Sequence, residues 1–257
     1  MDDVAAVRAA ASSPPESPVW CWLGRVHHDQ TTALQERLRQ DIARGVGSET
    51  VLLCEHHPVV TLGRRARPDH LLISAEEFAR RGIDLRPVSR GGEATFHGPG
   101  QLVAYPVVRL RRGVLAHVEA MAAAVIDVLA AHDVVGHWRR DRPGVWVGDA
   151  KICALGIHVR GGIAIHGLAF NLVLPPDAFA PIVPCGQPDA SVASLHSLLG
   201  VELSSPRAEA LSPARMAPLL VARLAHHLEI QLQQGSADAL VEFEIAKLIV
   251  TVKMNQA

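Results

Sequence analysis

Three apolar runs separated by glycine turns, within residues 144–174, constrain the fold of this chain most strongly. The turns are Gly148-Asp149 and Arg160-Gly161-Gly162, and the runs between them are long enough to form strands. Glycine supplies the positive φ angles that tight turns between strands need. The segment therefore predicts three consecutive β-strands.

Strands and helices alternate through the rest of the chain. Further strands are predicted at 19–27, 84–89 and 101–108, with two more within 50–62 broken at Pro58. Helices are predicted at 29–44, 115–132, 191–199 and 213–233, with a short one capped by Ser74 and Glu77. The pattern predicts an α/β fold with a large mixed sheet. We expect disorder in 1–18, one large domain over 19–235 and a C-terminal tail of unknown role at 236–257.

Composition excludes several classes of protein. The formal charge is -1, so we expect no general attraction to nucleic acid or to an anionic membrane. No apolar stretch approaches the ~20 residues that would span a bilayer, and the acidic N-terminus does not resemble a secretory signal. The four cysteines form no CxxC pair, which argues against a zinc module. A cytoplasmic protein with reduced thiols is the simplest prediction.

Lysine is rare in this chain. Of 25 Lys plus Arg, only Lys151, Lys247 and Lys253 are lysine. An amine can lose its proton near neutral pH, whereas a guanidinium cannot. Strand alternation places Lys151 on one face with Cys153 and Leu155, where partial desolvation would lower its pKa and make it a usable base. The alternative is a chance cation.

A second glycine-rich segment covers residues 90–106. It contains neither a Walker motif nor the GxGxxG of a dinucleotide fold, so a phosphate cradle, an acyl-pocket lining and a pair of plain turns all stay open. Phe96 and His97 side by side favour a functional loop, although a single histidine is more often structural. Histidines 97, 158 and 166 lack the spacing of a metal site, so we expect no metal.

Cys185 is the best candidate nucleophile. It stands between Pro184 and Gly186, where a sharp turn would present its sulfur at a rim. The other three cysteines fit the role of small buried hydrophobes better. Nearby, residues 166–169 are interpreted as a turn that approaches Asn171.

Four motifs in order resemble the lipoyl(octanoyl) transferase family, over roughly residues 20–230. They are Arg90-Gly-Gly-x-x-Thr-Phe-His-Gly-Pro-Gly-Gln101, Lys151-Ile-Cys-Ala-Leu-Gly156, His166-Gly-Leu-Ala-Phe-Asn171 and Pro184-Cys185-Gly186. The resemblance implies a mixed sheet flanked by helices, similar to the catalytic domain of biotin and lipoate protein ligases. It also implies transfer of octanoyl from acyl carrier protein, through a thioester on Cys185, to a lysine of a lipoyl domain.

The same resemblance implies the roles of individual residues. Cys185 carries the acyl group and Lys151 handles its proton, with no cofactor. The acceptors would be lipoyl domains of 2-oxoacid dehydrogenase E2 subunits and the glycine cleavage H protein. The residues that would line the acyl site are Arg90, Gly91, Gly92, Glu93, Ala94, Thr95, Phe96, His97, Ala154, Leu155, Gly156, Gly167, Leu168 and Ala169.

Other functions stay open at this point. An ATP-dependent ligase on the same fold would need no cysteine, and a non-catalytic acyl- or lipoyl-domain-binding module would tolerate loss of Cys185. A cysteine hydrolase is disfavoured because no Cys-His-Asn/Asp order stands in a persuasive context. Acidic carrier proteins would need a local basic patch, and two arginine clusters are candidates. They are Arg64, Arg65 and Arg67, and Arg139, Arg140 and Arg142.

Overall fold

The computed structural model describes residues 17–184 and 191–237. Cys185 and Gly186 lie outside the described residues, as do 1–16 and 238–257, which contain most of the predicted N-terminal segment and C-terminal tail. These predictions therefore stay predictions.

The elements follow the predicted alternation of strands and helices. The strands are β1 Val19–Val26, β2 Thr50–His56, β3 Val59–Leu62, β4 Asp84–Pro87, β5 Ala94–His97, β6 Gln101–Arg109, β7 His137–Trp138, β8 Gly144–Val147, β9 Ala150–Arg160, β10 Ile163–Asn171, β11 Ser191–Val192 and β12 Gln233–Gln234. The helices are α1 His28–Ala43, α2 Ala75–Arg80, α3 Val114–Ala130, α4 Leu195–Leu198, α5 Pro206–Ala210 and α6 Pro213–Leu228.

A large mixed sheet forms the centre of the molecule. Its strand order is β12-β1-β2-β6-β10-β9-β8-β7, with β11 paired to β9. Val51 and Leu53 of β2 belong to the core built with α3 and α6, whereas Leu52 packs toward Leu34 of α1. Because neighbouring residues of a strand face opposite sides, helices cover both faces of the sheet. A smaller sheet, β4-β3-β5, lies beside it.

The predicted turn at Gly161-Gly162 is confirmed. Both residues have positive φ, 59° and 75°, and Ile163 pairs directly with Arg160 across the two-residue loop. Such loops match the right-handed twist of the flanking strands. The predicted helix ends are less accurate: residues 191–192 form β11, and the last helix ends at Leu228 because Glu229 is left-handed at φ 57°.

The turn predicted at residues 166–169 is wrong, because these residues lie inside β10. The pairing of β10 with β6 lapses between Ala164 and Leu168, opposite Pro106, which has no N–H to donate. At this point His166 has φ 61°, and its N–H donates to Oε1 of Gln35 on α1 at 2.7 Å. A proline in β6 thus accompanies a local distortion, and not a chain reversal.

The predicted alternation along β9 is also wrong at its start. The register between β8 and β9 shifts by one residue between Val145 and Trp146, which leaves Ile152 as a bulge. Consequently Lys151 and Ala154 both line the cavity described below, whereas Cys153 is buried in the main core.

Candidate active site

A cavity of about 770 Å³ opens where the glycine-rich segment approaches β9 and β10. Twelve of the fourteen residues predicted to line an acyl site line it: Arg90, Gly91, Gly92, Glu93, Thr95, His97, Ala154, Leu155, Gly156, Gly167, Leu168 and Ala169. Gly167 must be small, because a Cβ there would overlap the carbonyl oxygen of Ala104. The structure therefore brings together segments that are separate in the sequence.

The other two predicted residues face away from the cavity. Residues Ala94–His97 form strand β5, so successive side chains alternate. Thr95 and His97 face the cavity, whereas Ala94 and Phe96 are buried in a second core with Phe78. The sequence pattern alone gave no strand here, because glycines precede and follow it.

Lys151 is held in the wall of the cavity and is only 7% exposed. Its Nζ lies 5.5 Å from the centroid of the Trp146 ring, within the range of a cation–π contact. The indole of Trp146 donates in turn to the carbonyl of Arg142 at 3.0 Å, which fixes the ring. The lysine side chain is thus partly desolvated and positioned by β8.

Three histidines that line the cavity are uncharged at neutral pH. Burial lowers the pKa of His28 to about 4 and that of His166 to about 3, and it holds the pKa of His97 well below 6.5. A base of such low pKa accepts a proton poorly near neutral pH. These imidazoles are therefore suited to hydrogen bonding and not to accepting a proton at neutral pH.

The described cysteines are poor nucleophiles. Burial raises the pKa of Cys21 to about 11 and that of Cys153 to about 12, and it raises the pKa of Cys54 further still. The reactive form of cysteine is the thiolate, which burial disfavours. Among residues 17–184 and 191–237, no cysteine is therefore suited to carry an acyl group.

Both flanks of Cys185 are anchored beside the cavity. Before it, the N–H of Val183 donates to the carbonyl of His70, whose Nδ1 lies 2.9 Å from a carboxylate oxygen of Glu93. After it, Ser191 pairs with Ala150 and Val192 with Lys151 in β11. The chain thus approaches the cavity on one side of Cys185 and returns to the Lys151 strand on the other.

Charge around the cavity is one-sided. Among the residues that the structure describes, its lining contains five cationic side chains and one carboxylate, Glu93. The cations are Arg64, Arg65, Arg90, Arg140 and Lys151. The two arginine clusters singled out in the sequence thus both contribute to one cavity.

Sequence reasoning missed several apolar residues of the lining. They are Val103, Tyr105, Val114, Leu115, Val118, Trp138 and Ile157. Alternation along the predicted strand 101–108 could have placed Val103 and Tyr105 on one face. The start of α3 gave no local signal, because its approach to the cavity is a tertiary feature.

Two kinds of feature are absent from the described part of the chain. In residues 17–184 and 191–237 no three His, Cys, Asp or Glu side chains cluster as metal ligands would. None of the helices in these ranges is both long and apolar enough to cross a membrane.

Comparison with known proteins identifies the family. Residues 28–212 match the lipoyl protein ligase A/B catalytic domain. The chain is 43% identical over 185 residues to the octanoyltransferase of Chloroflexus aurantiacus. The aligned region covers 70% of this chain and 83% of that protein. It is 42% identical to a probable octanoyltransferase of Pyrobaculum arsenaticum over 180 residues, with coverage of 70% and 81%. The chain belongs to the lipoyl(octanoyl) transferase family.

Solved structures confirm the predicted fold of this lipoyl(octanoyl) transferase family member. A lipoate-protein ligase A bound with ATP superposes with a TM-score of 0.68 at 14% identity, covering 91% of this chain and 94% of that one. Plasmodium falciparum LipL1 in complex with lipoate gives a TM-score of 0.65 at 10% identity, with coverage of 88% and 70%. At such identities the likeness shows the fold alone, whereas the octanoyltransferase relatives show a lipoate-related transferase.

Proposed function

We propose that this chain transfers an octanoyl group from acyl carrier protein, through a thioester on Cys185, to a lysine of a lipoyl domain. The observation that carries the proposal is the placement of Lys151. Its amine lies in the cavity wall, on the strand that the chain rejoins at Val192 soon after Cys185. A thiol with a pKa of ~8.5 needs such a partner to react at neutral pH.

The cavity suits an acyl group on an anionic carrier. Its apolar lining can bury six or seven methylenes, each worth ~0.8 kcal/mol, for a total of about 5 kcal/mol. Its cationic side chains match the phosphodiester of a phosphopantetheine arm and an acidic carrier protein. The cavity thus offers an apolar surface to the octanoyl chain and a cationic surface to the carrier of the proposed donor.

The first step loads the enzyme. Lys151 accepts the proton of the Cys185 thiol, and the thiolate attacks the carbonyl carbon of the octanoyl thioester. A new carbon–sulfur bond forms to Cys185 while the bond to the pantetheine sulfur breaks. The proton held by Lys151 then passes to the departing pantetheine, which leaves as a thiol.

The second step transfers the acyl group to the acceptor. The acceptor's lysine attacks the Cys185 thioester as a neutral amine, so a carbon–nitrogen bond forms and the bond to Cys185 breaks. The proton lost by the amine passes through Lys151 to the Cys185 sulfur. Backbone N–H groups of the glycine-rich segment, or of Cys185-Gly186, would stabilise the oxyanion.

Thr95 is a further candidate contact to the acyl carbonyl. Its hydroxyl is buried at the cavity and makes no hydrogen bond to any residue that the structure describes. An unpaired buried hydroxyl is costly, so a bound group that accepts its proton would be favoured. We propose that Thr95 orients the octanoyl thioester.

Intact-protein mass spectrometry tests the proposal. Incubation with octanoyl-acyl carrier protein should add one octanoyl group, labile to hydroxylamine, and peptide mapping should place it on Cys185. Cys185→Ala should abolish transfer in a folded protein, whereas Cys153→Ala should keep the label. A label on Cys153, or no label at all, would contradict the thioester.

The alternative is an ATP-dependent ligase on the same fold, which would activate a free acid as an adenylate. An adenylate mechanism needs ATP and magnesium but no cysteine. Transfer from octanoyl-acyl carrier protein to a lipoyl domain should therefore proceed with neither present. Dependence on both would support the ligase. We propose E2 lipoyl domains and the glycine cleavage H protein as acceptors, to be compared in the same assay.

A further inference from the structure

A row of buried polar side chains runs beneath the cavity, and two backbone carbonyls fix its orientation. Nε2 of Gln101 donates to the carbonyl of Phe96 at 3.2 Å, and Nδ2 of Asn171 donates to the carbonyl of Ala193 at 3.0 Å. A carbonyl oxygen only accepts, so each amide must turn its NH₂ group toward it. Gln101 then also donates to Oδ1 of Asn171 at 2.9 Å, and its own oxygen faces His97.

The tautomer of His97 follows from Gln101. Nδ1 of His97 lies 2.8 Å from Oε1 of Gln101, an acceptor, so Nδ1 must carry the proton. Burial keeps the pKa of His97 well below 6.5, so the ring is neutral and Nε2 is an acceptor. The hydroxyl of Thr61, 3.2 Å away, therefore donates to Nε2. Every proton in this part of the row points the same way.

The two ends of the row lie at the cavity. At one end, Nε and Nη2 of Arg90 donate to the Thr61 hydroxyl at 3.2 and 2.7 Å, which leaves that hydroxyl free to donate onward. At the other end, the N–H of Ala193 donates to the carbonyl of Lys151 at 3.0 Å. The row thus joins Arg90 on one wall to the backbone of Lys151 on another.

We propose that these four buried side chains form a hydrogen-bond relay that sets the positions of Arg90 and Lys151 for the transfer reaction. The residues of this relay are Thr61, His97, Gln101 and Asn171. They are positioning residues and do not exchange protons with substrate, because both ring nitrogens of His97 are used within the relay. The inference rests on the proposed function for its consequence in catalysis, but not for its geometry.

The tautomer of His97 tests the geometry in the unmodified protein. Long-range nitrogen–proton NMR on histidine labelled with nitrogen-15 distinguishes a protonated Nδ1 from a protonated Nε2. We expect His97 to be neutral at pH 7, with its proton on Nδ1. A proton on Nε2, or an imidazolium at pH 7, would overturn the relay.

Kinetic measurements on variants test the role of the relay in catalysis. Thr61→Val removes the hydroxyl but keeps the branched shape, and Asn171→Asp removes the donor to Ala193 at nearly constant volume. Each should lower kcat by about 10- to 100-fold, as expected for a lost hydrogen bond in a charged network, while KM for octanoyl-acyl carrier protein changes little. Thr61→Ser restores the hydroxyl and should keep kcat near wild type.

The double variant separates a relay from two independent structural sites. If the four residues act as one relay, either substitution alone interrupts it. The double variant should therefore lose no more kcat than the more impaired single variant. Multiplying losses, or an unchanged kcat in either folded single variant, would overturn the role in catalysis. If a variant fails to fold, the tautomer still decides the geometry. If Cys185 is not labelled with octanoyl but His97 has its proton on Nδ1, the proposed function is rejected and the geometry of the relay stands.

Discussion

Gly144 is the residue against which Lys151 packs. A Cβ on Gly144 would overlap Cε of Lys151 and would lie 3.1 Å from its Nζ and 2.9 Å from the carbonyl oxygen of Cys153. The lysine side chain therefore passes through space that only glycine leaves open. Together with Trp146 and the bulge at Ile152, this close approach determines where the amine lies.

Gly144→Ala should therefore displace the amine of Lys151. We expect kcat to fall by about 10- to 100-fold, alongside a loss of about 1–3 kcal/mol in the free energy of unfolding from overpacking. Gly136→Ala is the matched control, because its Cβ would come within 2.5 Å of Cδ1 of Leu129 in the same core. It should lose stability and keep its rate per folded molecule.

The same substitution has a sharper test in a Lys151→Ala background. If Gly144→Ala acts through the lysine, it should cost no further activity there, since the group it displaces is gone. Rates would be measured as single turnovers of octanoyl transfer. An equal loss in both backgrounds would show that Gly144 acts on something other than Lys151.

Lys151→Arg tests whether the proposed role of Lys151 needs proton transfer or only charge. The guanidinium keeps the cation but does not give up its proton near neutral pH. We expect the Arg variant to lose nearly as much kcat as Lys151→Ala, with both loading and transfer slowed. Near-wild-type rates in the Arg variant would mean that charge is sufficient.

The sequence predicted what depends on local pattern and residue type. The Gly161-Gly162 turn, the strand of Lys151 and the Ser74 cap are all local, and the structure confirms them. The bulge at Ile152 has no local marker, so simple alternation placed Lys151 and Cys153 on one face.

Long-range features explain the remaining differences. The distortion at His166 depends on Pro106 in the neighbouring strand and on Gln35 in α1, which are distant in the sequence. The relay likewise joins Thr61 to Asn171 through tertiary contacts. Such pairings cannot be read from one segment at a time.

Acid should destabilise this protein, beginning near pH 6.5. Burial lowers the pKa of His28, His56 and His117 to about 4 and that of His166 to about 3. Below pH 6.5 the unfolded chain binds protons at these sites while the folded chain does not, so the free energy of unfolding falls as pH falls. The loss should continue to about pH 4 for the first three and to about pH 3 for His166.

Urea unfolding at pH 7 and pH 5 measures this effect. Each such histidine should contribute a slope of up to about 1.4 kcal/mol per pH unit in this range. His117→Gln removes one of these histidines, which does not line the cavity. The slope of the free energy of unfolding against pH should then fall by the contribution of about one proton. Equal free energies of unfolding at the two pH values would contradict the neutral state of these rings.

The final prediction concerns docking of the acidic donor. Arg64, Arg65 and Arg140 are exposed and line the cavity. Two other members of the sequence clusters are ion-paired within the chain, since Arg67 lies 2.7 Å from Asp69 and Arg139 lies 3.0 Å from Asp149. The structure thus selects three of the six clustered arginines as the better candidates for a carrier protein.

Reversing these three charges to Glu should raise KM for octanoyl-acyl carrier protein by about tenfold or more, because charges at the rim act mainly on association. Transfer from preformed acyl-Cys185 in a single turnover should be unchanged. Added salt should reproduce the effect in the wild type, since it screens exposed charges. Arg81→Glu is the control, because Arg81 is exposed, pairs with Glu77 and is not part of the cavity lining. If the triple reversal left KM and its salt dependence unchanged, the carrier would dock elsewhere, and Arg109, Arg111 and Arg112 would be tested next.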